Sequence, residues 1–134
     1  MFGSLDISTS ALVAQRQRMT AVAQNMALST AAVDPNADPD AFRRRMPIFA
    51  PGDPATGRPE GVHVKEILYD QAPFRKALEP GHKFADRDGY VQYTNIDPAM
   101  EMINAMEATR AYEANITAAE ASKSMMQTSL RLLG

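Results

Sequence analysis

Proline and glycine are distributed unevenly along this chain of 134 residues. Neither residue occurs between Ser4 and Asp34 or between Ala99 and Leu133, whereas six of the nine prolines fall between Pro35 and Pro59. Proline removes a backbone donor and clashes inside a helix, and glycine weakens a helix through its entropy. The sequence therefore predicts a long helix at each end and a segment of strands and loops between them.

The N-terminal segment carries apolar residues at heptad spacing, with small alanines filling much of the remaining surface. Four apolar residues recur every seven positions: Leu5, Leu12, Met19 and Met26. The interleaved positions are mostly polar: Ser8, Gln15, Val22 and Ser29. This pattern predicts an amphipathic helix, and a helix from Ser4 to Val33 would be ~45 Å long.

The C-terminal segment has a clear start, because Asp97 suits an N-cap and Pro98 the first helical position. Glu101 then falls in the first turn, where negative charge is favoured. An apolar stripe at helical spacing follows, with Lys123 as its discordant member: Met102, Ala105, Thr109, Tyr112, Ile116, Ala119, Lys123, Met126, Leu130 and Leu133. A helix from Pro98 to Leu133 would be ~54 Å long.

The lengths of the two helices indicate how much of their surface the rest of the monomer can cover. A compact domain of this size has a radius of gyration of ~14 Å, so the C-terminal helix is longer than the body of its own monomer. Its other faces carry mainly Ala, Ser, Thr, Asn and Gln, which suit close packing on several sides. Two arrangements remain open: a helical hairpin partly covered by the middle of the chain, or helices packed among many subunits.

The middle segment contains seven of the nine aromatic residues and several short apolar runs. Residues 34–61 are predicted to form a loop interrupted by a strand over 43–49, which Pro47 would place at a sheet edge. Further strands are predicted over 62–68, 74–78 and 90–93. The expected fold is therefore α+β: an antiparallel, coiled-coil-like pair of long terminal helices with a small β-rich insert.

Composition excludes several classes of protein. The chain has no cysteine, which excludes disulfide frameworks, Zn–thiolate sites and cysteine nucleophiles. No apolar run approaches the ~20 residues of a membrane span. The segment from Met1 to Ser10 lacks the basic and apolar regions of a secretory signal, so no cleaved signal is expected. A formal charge of −2 gives no general attraction to nucleic acid.

No convergent set of titratable residues indicates catalysis, a cofactor or a metal site. His63 is expected on a strand surface and His82 in a turn. The acidic residues Asp34, Asp38 and Asp40 lack the spacing of a calcium loop and are expected to be solvated. The run from Arg43 to Arg45 is expected to be solvated or to form ion pairs between subunits.

The chain resembles the bacterial flagellar basal-body rod proteins over nearly its full length. Near the N-terminus the resemblance rests on residues 10–12, 18–19 and 23–27, which are similar to the family's alanine-rich helix. Near the C-terminus it rests on residues 101–104, 110–115 and 123–125, which match the family's terminal helix. Residues 73–75, 80–82, 85–86, 89–91 and 95–96 are similar to the part that distinguishes the proximal-rod members.

The resemblance implies a structural, non-enzymatic subunit of the periplasmic rod, exported by the flagellar type III apparatus without a cleaved signal. It implies that residues 1–33 and 98–134 form the inner layer of a helical tube around the export channel, with residues 34–97 outside that layer. The tube would transmit torque, and its partners would be copies of this chain and other rod subunits, without nucleic acid or membrane insertion.

The expected assembly interface lies on the apolar seams of the two terminal helices. Its members are Leu5, Leu12, Met19, Val22, Met26, Met102, Tyr112, Asn115, Ile116, Met126, Leu130 and Leu133.

Three residues depart from the family pattern: Leu28 stands where a second Asn is expected, Lys83 where Pro commonly follows the His, and Thr94 where Pro commonly precedes the Asn. The alternative function is a soluble coiled-coil adaptor or chaperone that binds a helical client.

Overall fold

The computed structural model describes residues 2–134 and confirms the predicted α+β architecture. In chain order the elements are helix α1 (Phe2–Leu28), a short 3-10 helix (Pro39–Phe42), strands β1 (Arg45–Asp53), β2 (Arg58–Tyr69), β3 (Arg75–Leu78) and β4 (Tyr90–Tyr93), and helix α2 (Pro98–Leu133). The strands form two separate antiparallel ribbons, β1–β2 and β3–β4. The two long helices flank this β insert in the sequence and pack against each other.

Helix α1 ends at Leu28, before the predicted end at Val33. The Ser29 hydroxyl donates to the Met26 carbonyl at 2.7 Å, and the Ala31 N–H donates to the Leu28 carbonyl at 3.0 Å, which closes the last turn. The Thr94 hydroxyl also donates to the Leu28 carbonyl, at 2.7 Å. These bonds satisfy carbonyls at the helix end that have no partner within the helix, and the chain then turns toward β4.

Helix α2 begins where the sequence predicts. The Asp97 carboxylate accepts a hydrogen bond from the Ala99 N–H at 2.9 Å, and Pro98 occupies the first turn. Arg131 lies in the last turn, where a positive charge is favoured. The helix is 36 residues long, which corresponds to ~54 Å.

The hairpin of β1 and β2 is longer than the sequence indicated. The predicted strand over 43–49 begins at Arg45 and continues to Asp53, so much of the expected loop before Gly61 is sheet. At its tip, Asp53 accepts hydrogen bonds from the Thr56 hydroxyl at 2.8 Å and from the Ala55 N–H at 2.9 Å. These two bonds hold the pKa of the Asp53 carboxyl below its usual value. The Asp53 side chain therefore stabilises the turn at the tip of the hairpin, in a segment that the sequence predicted to be a loop.

The β3–β4 ribbon joins the end of α1 to the start of α2. Ala32 forms an isolated antiparallel bridge with Tyr93, supported by a bond from the Val33 N–H to the Gln92 carbonyl at 2.8 Å. The loop between the strands holds His82, whose Nδ1 accepts a hydrogen bond from the Phe84 N–H at 3.1 Å, in the turn role that the sequence predicted. Strands 75–78 and 90–93 agree with the prediction.

The helices pack antiparallel through small side chains. Arg18 of α1 forms an ion pair with Glu107 of α2 at 3.0 Å, and the Thr109 hydroxyl lies 3.9 Å from the Met19 sulfur. The buried apolar residues are few and mostly small: Ala14, Ala21, Val22, Val33, Val91, Ile96 and Ala108. A core of this size leaves many large apolar side chains exposed, so the monomer buries only part of its apolar surface.

Candidate assembly interface

A buried polar cluster joins the two helices to the β insert. Glu101 is only 1% exposed, although it lies one turn into α2. One carboxylate oxygen pairs with the Arg44 Nε, and the other accepts from the Asn25 side-chain amide at 3.1 Å. A buried carboxylate needs such partners, because burial of an unpaired charge is costly.

Asn25 extends the same cluster into β1. Its side-chain amide donates to the Arg45 carbonyl at 2.9 Å, and its side-chain oxygen accepts from the Arg45 N–H at 2.8 Å. This pair of bonds occupies both backbone groups of Arg45, so Asn25 takes the place of a neighbouring strand at that point. The cluster thus fixes the end of α1, the start of α2 and the start of the hairpin relative to one another.

Arg43 and Arg44 form contacts within the subunit. The sequence instead predicted that these arginines would be solvated or would form ion pairs between subunits. Besides the Arg44 pair, the Arg43 guanidinium donates to the carbonyls of Asp70 and Ala72 at 2.9 and 3.0 Å. It also lies 4.8 Å from the centre of the Phe74 ring. These contacts tie the segment after β2 to the segment before β1. The cluster thus holds the base of the hairpin in place.

The predicted interface residues divide into three groups by exposure. Val22 is buried within the subunit. Eight are half-buried: Leu5, Leu12, Met19, Met26, Tyr112, Asn115, Ile116 and Met126. Three on α2 are exposed: Met102, Leu130 and Leu133. Nine of the twelve side chains are therefore at least partly covered within the subunit, and three are exposed.

The exposed apolar residues of α2 form two groups at its ends. The first group lies in the opening turns and consists of Met100, Met102, Ile103 and Met106. The second lies in the closing turns and consists of Met125, Leu130, Leu132 and Leu133. Leu130 is 68% exposed and Leu133 is 87% exposed. Large apolar side chains exposed close together at a helix end make that end a candidate surface for contact with another molecule.

Sequence reasoning missed two residues, one in the exposed group at the end of α2 and one in the buried polar cluster. Leu132 is exposed with Leu133 but falls outside the predicted stripe. The other is Asn25, a polar residue between Val22 and Met26 in an apolar seam, and that position is itself a signal of buried hydrogen bonds. Such a residue is destabilising in a seam unless it has hydrogen-bonding partners, and here it has them.

The acidic residues of the middle segment serve its local turns. Asp34 accepts a hydrogen bond from the Asn36 N–H at 2.9 Å, and Asp38 accepts one from the Asp40 N–H at 3.0 Å. Within residues 2–134, no group of three or more His, Cys, Asp or Glu side chains is arranged to hold a metal ion. Over the same residues, neither long helix is apolar enough over a sufficient length to cross a membrane.

Comparison with known proteins identifies relatives of this chain. Residues 87–132 match the family described as flagellar basal body rod FlgEFG protein C-terminal. The chain is 40% identical over 131 residues to the flagellar basal-body rod protein FlgC of Salmonella typhimurium, covering 95% of this chain and 93% of the relative. It is 35% identical over 145 residues to the FlgC protein of Bacillus subtilis, covering 98% and 97%.

Long terminal helices, a thin core and these relatives together define a structural subunit of the bacterial flagellar basal-body rod. Within that class, the chain belongs to the FlgC family of rod proteins.

Two of the departures from the family pattern contact each other. The Thr94 hydroxyl donates to the carbonyl of Leu28, and the Thr94 N–H donates to the Ala31 carbonyl at 3.2 Å. A proline at position 94 would supply neither donor. The carbonyls at and just after the end of α1 therefore accept hydrogen bonds from Thr94, and no asparagine is needed at position 28.

Proposed function

We propose that this rod subunit polymerises through α1 and α2 into the helical tube of the proximal rod. In this arrangement residues 1–33 and 98–134 form the inner layer around the export channel, and residues 34–97 lie outside it. The subunit would reach the periplasm through the flagellar type III apparatus. It would transmit torque as a purely structural element, with no catalytic role and no bound cofactor.

The observation that carries this proposal is the exposure of the closing turns of α2. Full burial of a leucine side chain contributes about 1.5–3 kcal/mol, so Leu130 and Leu133 in each subunit would add strongly to the contacts between neighbours. Contacts between different surfaces of successive subunits produce an open helical polymer when they do not close into a ring. Torque transmission needs such contacts to be closely packed, which the small seam residues allow.

Membership of the rod family favours this function over the soluble adaptor. An adaptor would also expose an apolar helix face, but it would form a defined small oligomer with its client. The proposed interface includes the twelve residues predicted from the sequence. Substitution of Leu130 and Leu133 tests the proposed interface most directly, because both side chains are exposed and lie outside the core of the monomer.

The test is complementation of motility in a strain that lacks this subunit. We expect the double substitution Leu130→Ser and Leu133→Ser to abolish motility while the unfolding midpoint of the free subunit stays unchanged. Gln127→Ser is the matched control, because Gln127 is exposed on the same turns but is polar. Secretion of each variant into the medium of a strain that cannot assemble rods separates export from assembly. Wild-type motility of the exported double variant would overturn the proposal.

A further inference from the structure

A groove lies between the first turns of α1 and the tip of the β1–β2 hairpin, and we name it the hairpin groove. Its volume is about 530 Å³. Apolar side chains line it from both sides: Ile7 and Val13 of α1, and Val62 and Val64 of β2. Ile7 and Val13 are exposed, so a molecule seated in the groove would cover apolar surface that this subunit leaves open.

Contacts within the subunit hold the two walls of the hairpin groove together. The Val62 N–H donates to the Ser10 hydroxyl at 3.1 Å, and Gly61 lies so close to Ser10 that it has no room for a Cβ. Asp6 of α1 and Arg58 of β2 form an ion pair at 3.7 Å beside the same groove. The groove is therefore formed before any partner binds.

Acidic side chains outnumber basic ones around the hairpin groove. Asp6, Asp53 and Glu60 line it together with a single arginine, Arg58. Asp6 pairs with Arg58, and Asp53 accepts hydrogen bonds within the tip of the hairpin. The Glu60 side chain is exposed and forms no hydrogen bond or ion pair among residues 2–134. One carboxylate of the groove can therefore pair with a cation from another molecule.

The closing turns of α2 have the complementary properties. Leu132 and Leu133 are exposed there, and Arg131 beside them forms no hydrogen bond or ion pair with the described part of the chain. After Glu120 the only charged side chains of α2 are basic, Lys123 and Arg131. An apolar and basic helix end thus matches an apolar and acidic groove.

The closing turns cannot enter the groove of their own subunit. Arg18 and Met19 of α1 contact α2. Val13 and Gln17, which line the groove, lie on a different face of α1. Helix α1 therefore stands between α2 and the groove, and closing turns that fill the groove must come from a second molecule.

The antiparallel pairing of the helices gives the displacement of that molecule. Arg18 of α1 pairs with Glu107 of α2, so Ser10, eight residues before Arg18, lies level with about residue 115 of α2. The centre of the closing turns, near residue 129, lies about 20 Å further along α2. A second copy displaced by this distance along the helices would bring its closing turns level with the groove.

We propose that the hairpin groove receives the closing turns of α2 from a second copy of this chain, displaced by about 20 Å along the helices. Arg131 of that copy pairs with Glu60, and its leucines cover Ile7 and Val13. This inference rests on the proposed function and names the surface that meets the closing turns. Because each copy contacts a different surface of the next and is displaced along its axis, the contact extends a helix rather than closing a flat ring.

Cross-linking in isolated basal bodies tests this contact, because the chain has no cysteine of its own. Two variants are expressed together in a strain that lacks the subunit: one carries Val13→Cys and the other Leu132→Cys. We expect a short bismaleimide to join them into a product of twice the mass of the chain.

Thr20→Cys in place of Val13→Cys is the matched control. Thr20 is also exposed on α1, but it lies about 10 Å from Val13 along the helix axis and does not line the groove. The cross-linked product should be at least tenfold less abundant with this control. If both variants of the test pair are present in rods but form no more product than the control pair, another partner or solvent occupies the groove, and the proposal is overturned.

A charge exchange supplies an independent test in a single chain. Glu60→Lys and Arg131→Glu each place like charges at the contact, and we expect each to lower incorporation into rods about two- to fivefold. The double variant restores opposite charges and should return incorporation to within about twofold of the wild-type value. A double variant that is incorporated no better than the weaker single variant would contradict the pairing of these residues.

The outcomes separate the two proposals. If the wild-type chain is absent from rods, the proposed function fails. If the chain is present while the cross-linked product stays at the control level, only the groove contact fails. Should a cysteine variant fail to enter rods, the charge exchange still decides the question, because it leaves the apolar residues of the contact unchanged.

Discussion

The side-chain amide of Asn25 donates a hydrogen bond to Glu101 at 3.1 Å, across 76 positions of the chain. Because Asn25 also binds both backbone groups of Arg45, this contact links the two helices to the hairpin. The geometry between the helix pair and the outer segment thus depends on a few polar atoms rather than on a large core.

Asn25→Ala should lower the free energy of unfolding by about 2–4 kcal/mol, because it leaves a buried N–H and a buried carboxylate oxygen without a partner. Urea denaturation followed by circular dichroism measures this change. Asn104→Ala is the control, since the Asn104 amide lies 3.4 Å from the same carboxylate and should contribute less than about 0.5 kcal/mol. Equal losses in the two variants would show that Asn25 is not the junction residue.

Gly61→Ala tests how the hairpin contacts α1. Gly61 has a φ of +90°, and an added Cβ would lie 2.7 Å from the Ser10 hydroxyl oxygen. We expect a loss of about 2–3 kcal/mol in the free energy of unfolding, from the backbone conformation and the steric conflict together. Thermal denaturation of the free subunit measures this loss.

Gly57→Ala is the matched control for this steric conflict. Gly57 has a φ of +68° but nothing within 4 Å of the added atom, so it should lose only about 1 kcal/mol. Equal losses at Gly57 and Gly61 would show that the contact with Ser10 adds no steric cost at Gly61.

Tyr93 is expected to make the stability of the β3–β4 ribbon fall at high pH. Its hydroxyl donates to the Glu79 carboxylate at 2.9 Å, and this bond raises the pKa of Tyr93, with smaller contributions from desolvation and the Glu79 charge. The folded chain favours the neutral phenol. The bond therefore stabilises the ribbon below the unfolded pKa of about 10 and is lost as pH rises through the folded value.

Ultraviolet titration of phenolate formation measures this effect. We expect Glu79→Ala to bring the titration of Tyr93 to lower pH, whereas Tyr90→Phe should remove one tyrosine and leave the late titration in place. An unchanged titration of Tyr93 in Glu79→Ala would show that the bond does not form in solution.

Local signals were sufficient to predict much of this fold. The Asp97–Pro98 start, the absence of helix breakers and the apolar runs gave both helices and all four strands. The end of α1 was placed too late, because its termination depends on Thr94, which lies far along the chain. Likewise, the Arg44–Glu101 pair spans 57 positions, and no local pattern identifies such a partner.

The interface was only partly predictable for a related reason. Helical spacing identified which residues lie on an apolar stripe, but not which of them the partner helix covers. Val22 is covered within the subunit, whereas Leu130 is exposed, although both were assigned to the same interface.

A density map of intact basal bodies, at a resolution that shows side chains, tests the central claim most directly. We expect this chain to lie in the proximal rod, with α1 and α2 in the inner layer and Leu130 and Leu133 buried against neighbouring subunits. A rod in which these two leucines face solvent, or in which residues 34–97 line the channel, would contradict it.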